Sequence, residues 1–169
     1  MAIYTGTNWG DPPEGTILQY RQQSSNSNWT NSSTQNWFEV LNYTITPKFS
    51  TSKILIMASI CGGFGNCENS CMKVVRNSTD IFTGTGGGRN CAIGQAAVSD
   101  FSLRHRLSNS NYQCVDSPNT TSTVTYRIYL STRSDDGNKS WRFNQPWDTN
   151  SDGYNYHGHS VITLLESAQ

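Results

Sequence analysis

The chain has 169 residues, the length of one ordinary domain with room for a buried core. Only 14% of them are charged, and Lys plus Arg balance Asp plus Glu at 12 each, so the clustered positive charge on which non-specific binding to nucleic acid or an anionic membrane depends is missing. The polar bulk is Asn, Ser, Thr, Gln and Gly beside an aromatic content of 11%. That mixture disfavours helix, because short polar side chains compete with helical backbone bonds while Thr, Tyr and Trp fit pleated surfaces.

The first nine residues, Met1 to Trp9, have neither a basic start nor an apolar core, and no run of about 18 apolar residues exists to span a membrane, so the expectation is a soluble protein made in a cytoplasm. Residues 1–14 read as an extended arm ending in Asp11-Pro12-Pro13-Glu14, followed by a single domain over 15–169. The arm's Ile3, Tyr4 and Trp9 would be wasted in solvent and are expected to dock on a neighbouring chain or a larger assembly.

A strand is expected at Thr16–Tyr20, then a loop rich in Ser and Asn from Gln22 to Asn36, then a strand over Trp37–Ile45. The longest apolar run, Ser52–Ile60, is the centre of the pattern. Ile54, Ile56, Ala58 and Ile60 alternate with Leu55 and Met57, so both faces are apolar, which predicts a central strand covered on both sides. Thr46-Pro47 introduces it and Gly62-Gly63 is expected to end it in a turn reaching Asn69. Further strands are expected at Cys71–Arg76 and around Val98, Phe101 and Leu103, with a turn at Asn77–Asp80 between them. The glycines from Gly84 to Gly88 lack the Lys-Ser/Thr pair of a phosphate-binding loop and read as a plain connection.

The clearest alternation follows. Val124, Tyr126, Ile128 and Leu130 are expected to point inward, and Thr123, Thr125 and Arg127 outward. Trp141-Arg142-Phe143 and the closing strand Ser160–Glu166 complete eight to ten short strands. With no amphipathic helix, they predict an all-β fold, an antiparallel β-sandwich of jelly-roll type.

Several blocks occur in a familiar order: Gly15-Thr16-Ile17-Leu18-Gln19, Ile45-Thr46-Pro47-Lys48 running to Ser52-Lys53-Ile54-Leu55-Ile56, Val75-Arg76-Asn77-Ser78-Thr79, Asp116-Ser117-Pro118-Asn119-Thr120-Thr121, Val124-Thr125-Tyr126 and Ile162-Thr163-Leu164-Leu165-Glu166. With them the chain resembles a domain of tail-fibre and other virion surface proteins of tailed, marine-type bacteriophages, over about residues 15–169. The resemblance implies an all-β domain at a virion surface, forming a homotrimer. It brings no catalytic residues. The inserts around Cys61–Cys71 and Trp141–His159 depart from the common pattern.

Those inserts hold the constellations that carry chemistry. Asp148, Asn150 and Asp152, followed by Gly153, match the first half of a calcium loop, but position twelve is His159 where a bidentate Glu belongs, and an ordinary Asx-rich turn is the competing reading. His157-Gly158-His159 places two imidazoles two residues apart, so three copies on a trimer axis would offer six nitrogens to a transition metal. An exposed loop is the alternative. Trp141, Trp147, Tyr154 and Tyr156, with Asn144 and Gln145, suit a host-surface glycan, since rings stack on sugar faces while amides read hydroxyls. The same tryptophans would equally plug the end of a sandwich or a subunit contact. Cys67 and Cys71 could bridge or share a metal, or be small buried thiols.

No nucleophile elbow or acid–base pair stands out, so the expectation is a non-enzymatic virion structural protein assembled in the host cytoplasm, with other virion proteins and itself as partners. A tail-fibre adhesin binding a host glycan or protein leads. A capsid decoration protein gripping the lattice with residues 1–14 follows, and a secreted lectin, suggested by sequons such as Asn28-Trp29-Thr30, is the outside alternative.

Overall fold

The computed structural model describes residues 12–31, 36–64, 69–85, 91–96, 107–133, 141–146 and 156–169. Among these, eleven strands form two antiparallel sheets and there is no helix. Sheet A runs in the order β1 (Ile17–Ser25), β11 (Ser160–Ser167), β4 (Lys53–Phe64), β10 (Trp141–Phe143) and β2 (Trp29–Asn31), with β8 (Ser108–Asp116) also paired to β4. Sheet B runs β3 (Phe38–Ile45), β9 (Val124–Arg133), β5 (Asn69–Arg76) and β6 (Thr79–Ile81), with β7 (Ile93–Ala96) also on β5. First and last strands lie side by side and neighbours are mostly distant in sequence, a jelly-roll-like order.

The core lies between the sheets. Ile54, Ile56, Ala58 and Ile60 of β4 and Ile162 and Leu164 of β11 meet Val124, Tyr126, Ile128 and Leu130 of β9 and Met72 and Val74 of β5, all buried. The inward set expected for β9 is therefore the observed one, and its outward partners Thr123, Thr125 and Arg127 are wholly or partly exposed. Each large aliphatic side chain buried here contributes about 1.5–3 kcal/mol, which makes this layer the main source of stability.

Three expectations are corrected. The apolar run does not stop at Gly62-Gly63. β4 continues to Phe64 because β10 pairs with Gly62 and Gly63 along one edge while β8 pairs as far as Gly62 along the other. A Cβ at Gly62 would sit 2.8 Å from the carbonyl oxygen of Arg142, so the glycine is what lets β10 approach. Nor is β4 covered on both sides. Leu55, Met57 and Ser59 stay half-buried, because among the described residues sheet A has a partner layer on one face only. The polar stretch 22–36 holds the end of β1 and all of β2 rather than loop alone. Strand β8 had no apolar signature, since its inward side chains are Ser110, Tyr112, Cys114 and Asp116. The strand expected near Val98, Phe101 and Leu103 lies outside the described residues, as does Cys67. Among the described residues Cys61, Cys91 and Cys114 are free thiols.

One end of the sandwich is closed by charged groups that cross between the sheets. Arg76 Nη1 on β5 donates to both carboxylate oxygens of Asp116 on β8, at 2.9 and 3.0 Å, and the Tyr126 hydroxyl on β9 donates to Oδ2 at 2.7 Å. Burial, and then the bond and negative charge of Asp116, hold the Tyr126 hydroxyl well above the ordinary tyrosine range. Beside this cluster, buried Glu166 accepts the Lys48 backbone N–H at 2.7 Å and the Gln19 side-chain amide, and Lys53 Nζ donates to Ser117 Oγ at 2.6 Å. The chain enters the fold at this end, where Gly15 N donates to Ala168 O and Ala168 N to Thr16 O.

Candidate functional site

The opposite end is organised by Asn144. This residue follows β10 directly, has a left-handed backbone (φ 56°) that Asn tolerates better than most side chains, and is wholly buried. Its Nδ2 donates to the carbonyls of Ser25 and Ser27 at 2.8 and 3.1 Å, and its Oδ1 accepts from Ser160 Oγ at 2.7 Å. Its backbone N–H bonds Cys61 O and its carbonyl accepts from Gly158 N. Ser160 Oγ in turn accepts from Cys61 N at 2.9 Å. One neutral residue thus ties together β1 and the start of β11 through its side chain and β4 and the 156–159 segment through its backbone, leaving none of its own polar atoms unpaired.

The aromatic residues split into plug and rim. Trp141 is fully buried between β2 and β4, its ring centroid 4.8 Å from Trp29 in an edge-on contact and 6.4 Å from Phe143. Among the described residues its Nε1–H has no hydrogen-bond partner, a desolvation cost of about 1–3 kcal/mol accepted for the packing. Trp141 and Asn144 therefore offer no face to a glycan. Both belong to the closure of the sandwich, the alternative role foreseen for the tryptophans, and this corrects their assignment as contact residues.

Tyr156 is 67% exposed, and beside it the Asn28 amide and His157 Nδ1 share a hydrogen bond of 2.9 Å. Gln145, half-buried, donates Nε2 to Thr30 Oγ1 at 3.4 Å. These five side chains come from β2, its approach, the turn after β10 and the 156–159 segment, and Asn144 is the common anchor. An exposed ring beside amides, an imidazole and a hydroxyl suits a neutral polyhydroxylated ligand. Asn28 and Thr30 were not singled out as contact residues from sequence, since their partners are 129 and 115 positions away.

The histidine pair is held by the glycine between them. A Cβ at Gly158 would lie 2.0 Å from Cys61 Sγ, so only glycine lets this segment pass over the thiol. Burial pushes the Cys61 thiol up, against a smaller opposing effect of the His159 backbone N–H. His157 and His159 are both exposed, and among the described residues no three His, Cys, Asp or Glu side chains are grouped closely enough to hold an ion. Trp147, Tyr154, Asp148, Asn150, Asp152, Ile3, Tyr4 and Trp9 lie outside the described residues.

No family model matches the chain, and no curated protein matches it. Among solved structures, it is similar to a chain in "Structure of infectious bursal disease virus Gx strain", with a TM-score of 0.51 at 10% identity. That match covers 100% of this chain and 41% of the viral one, so this protein spans less than half the length of its structural neighbour. At such identity the similarity is one of fold, an all-β sandwich of jelly-roll type.

Proposed function

We propose that this chain is a structural protein at the surface of a bacteriophage particle, of tail-fibre or receptor-binding kind, that recognises a host-surface glycan without catalysing a reaction. It would assemble as a homotrimer in the host cytoplasm with other virion proteins. The observation that carries the reading is polarity. The chain enters the sandwich at the end closed by Arg76, Asp116 and Glu166, whereas Tyr156, His157, Asn28, Gln145 and Thr30 form a rim at the other end. A module docked through residues 1–14 at one pole presents its rim outward at the other, as an adhesin needs. Trimeric display would then multiply weak single contacts. A fold neighbour from a virus and the phage-like blocks support a virion setting.

Glycan-array binding by the full chain, repeated with Tyr156→Ala, tests this. Expected is a defined set of glycans bound by the parent chain and lost in the variant. No binding across a broad array, or binding untouched by the substitution, would remove the adhesin reading. Capsid decoration gains its support from the same polarity, with residues 1–14 on the head lattice, and particle labelling would distinguish head from tail.

A further inference from the structure

The outer faces of the two sheets differ in kind. On sheet B the solvent side carries ion pairs, Lys73 with Asp80 at 2.9 Å and Arg127 with Glu39 at 3.3 Å, and Lys73 also lies 4.8 Å from the Trp37 ring centroid. That is how a sheet looks when its outer face belongs to water. On sheet A the register instead lines up one apolar row across four strands: Tyr20 of β1 beside Leu165 of β11, Leu55 of β4 and Val115 of β8. Tyr20 and Val115 are 55% and 53% exposed, and Ile17, 55% exposed, extends the patch at one edge. The next two rows, through Met57 and Ser59, carry only uncharged side chains and open a hollow of about 220 Å³ between Val161 and Gln113.

From this contrast we infer that the outer face of sheet A is the surface through which copies of this chain meet. The inference deepens the proposed self-assembly and rests on it. Charge selects the occupant. The three rows from Tyr20 to Ser59 hold no ionisable group other than the tyrosine, so a partner chosen by charge has nothing to read, and an identical face meets it without like-charge repulsion. A nucleic acid or an anionic membrane would require clustered basic residues, whereas among the described residues this face carries the lone cation Lys53, in the row of Ile17 and bonded to Ser117 Oγ. Shape adds to this: the projecting Tyr20 ring and the hollow beside Ser59 are a knob and a recess on one face, which copies can fit together.

Size is consistent with such a contact. Four strands about 4.8 Å apart and the eight residues of β11 at about 3.4 Å each give a footprint of about 500 Å², so a trimer that turns three such faces to its axis, the knob of each copy against the recess of the next, buries about 1,500 Å². A contact of that area is modest singly and adequate when closed symmetry or a particle repeats it.

Sedimentation velocity of the full chain tests the inference, comparing the parent with Tyr20→Lys, Val115→Lys and, as a control on sheet B, the exposed Thr44→Lys. The parent is expected to sediment as a multimer. Tyr20→Lys and Val115→Lys are expected to weaken self-association at least about tenfold each, with unchanged far-ultraviolet circular dichroism, because each buries a lysine against an apolar face. Thr44→Lys is expected to leave assembly intact. A parent that stays monomeric at every concentration would overturn both this inference and the self-assembly it rests on. A multimer indifferent to both lysines would overturn the assignment of the face alone, and so would a multimer lost only when residues 1–11 are removed.

Discussion

The two ends of the sandwich are tied with opposite chemistry, across the sheets at one end and within sheet A at the other. At one end the links are ionic: Arg76, Asp116 and Tyr126 bridge three strands, and Glu166 binds the connection after β3 through the Lys48 N–H. At the other they are neutral: Asn144, Ser160 and the backbone of Cys61 and Gly158, roofed by the Trp29, Trp141 and Phe143 rings. Most of the sequence blocks singled out for their order lie at the ionic end, which contains Thr46, Lys48, Lys53, Arg76, Asn77, Asp116, Ser117, Tyr126 and Glu166. The described parts of the inserts, residues 61–64, 69–71, 141–146 and 156–159, fall at the neutral end. A short, charge-assisted closure constrains the residues that make it, while a hub built from one amide and backbone groups fixes only its own atoms and leaves the loops around it free to differ.

If that division is right, damage to the ionic end costs most. Asp116→Ala strips the Arg76 cation of its carboxylate, leaving it the Ser117 carbonyl at 3.3 Å, and orphans the buried Tyr126 hydroxyl, and is expected to lower stability by about 3–5 kcal/mol, read as a shift of the urea midpoint. Asp116→Asn keeps an acceptor oxygen and should cost less. A loss under about 1 kcal/mol for the alanine would mean that this cluster does not close the sandwich.

At the neutral end Asn144→Ala orphans the Ser25 and Ser27 carbonyls and the Ser160 hydroxyl and places alanine at φ 56°, for an expected loss of about 2–3 kcal/mol. Asn144→Gly relieves the backbone and none of the bonds, so it should fall between alanine and the parent. Both variants are also expected to weaken ligand binding at the rim, although the buried Asn144 touches no ligand, because the segments bearing Asn28 and Tyr156 lose their common anchor. Full binding in a destabilised Asn144→Ala chain would separate the hub from the rim.

How much of this could be read beforehand follows from where each signal lives. Strands β4, β9 and β11 were legible because their apolar residues recur at the strand period and their burial depends on local pattern alone. Strand β8 was not, since it turns polar side chains inward, where Asp116 is stabilised by Arg76 forty positions earlier and Tyr126 ten positions later. The rim split the same way. Tyr156 and Gln145 were named by residue type, but whether a tryptophan plugs or binds is decided by neighbours. Trp141 became core because β2 brings Trp29 against it from 112 positions away, a pairing that no local pattern encodes.

Alkaline pH should act on the molecule by a smaller, graded effect. Burial raises the Cys114 thiol from its ordinary 9.0 to about 11, with the charge of Asp116 adding and the Tyr112 bond opposing, and it raises Tyr112, Tyr126 and Tyr129 as well. The folded chain then keeps protons that the unfolded chain gives up, so stability is complete below pH 9 and falls as pH rises from there. Tyr126 contributes above pH 10, at no more than about 1.4 kcal/mol per pH unit. Melting curves from pH 7 to 11 should decline only on the alkaline side, and Tyr126→Phe should flatten that limb, whatever it costs at neutral pH. A flat alkaline limb in the parent would contradict the burial of these hydroxyls and thiols.

The smallest expected effect on stability is also the sharpest test of what the neutral end is for. Asn28 is exposed and its amide shares one hydrogen bond with His157 Nδ1, so Asn28→Ala removes a surface bond and should change stability by less than about 0.5 kcal/mol, a melting shift of about 2 °C or less. Binding should respond differently. His157 sits on a segment whose path is set by Gly158 against Cys61, and the Asn28 amide is the side-chain contact found to orient its imidazole. Losing it frees a ring that must otherwise be held for recognition, and affinity should fall about three- to tenfold through the cost of re-ordering that side chain. A fall in affinity without a fall in melting temperature would make the rim a recognition surface. Equal insensitivity of both would leave Asn28 and His157 as ordinary surface, with recognition carried by Tyr156 and Gln145 alone.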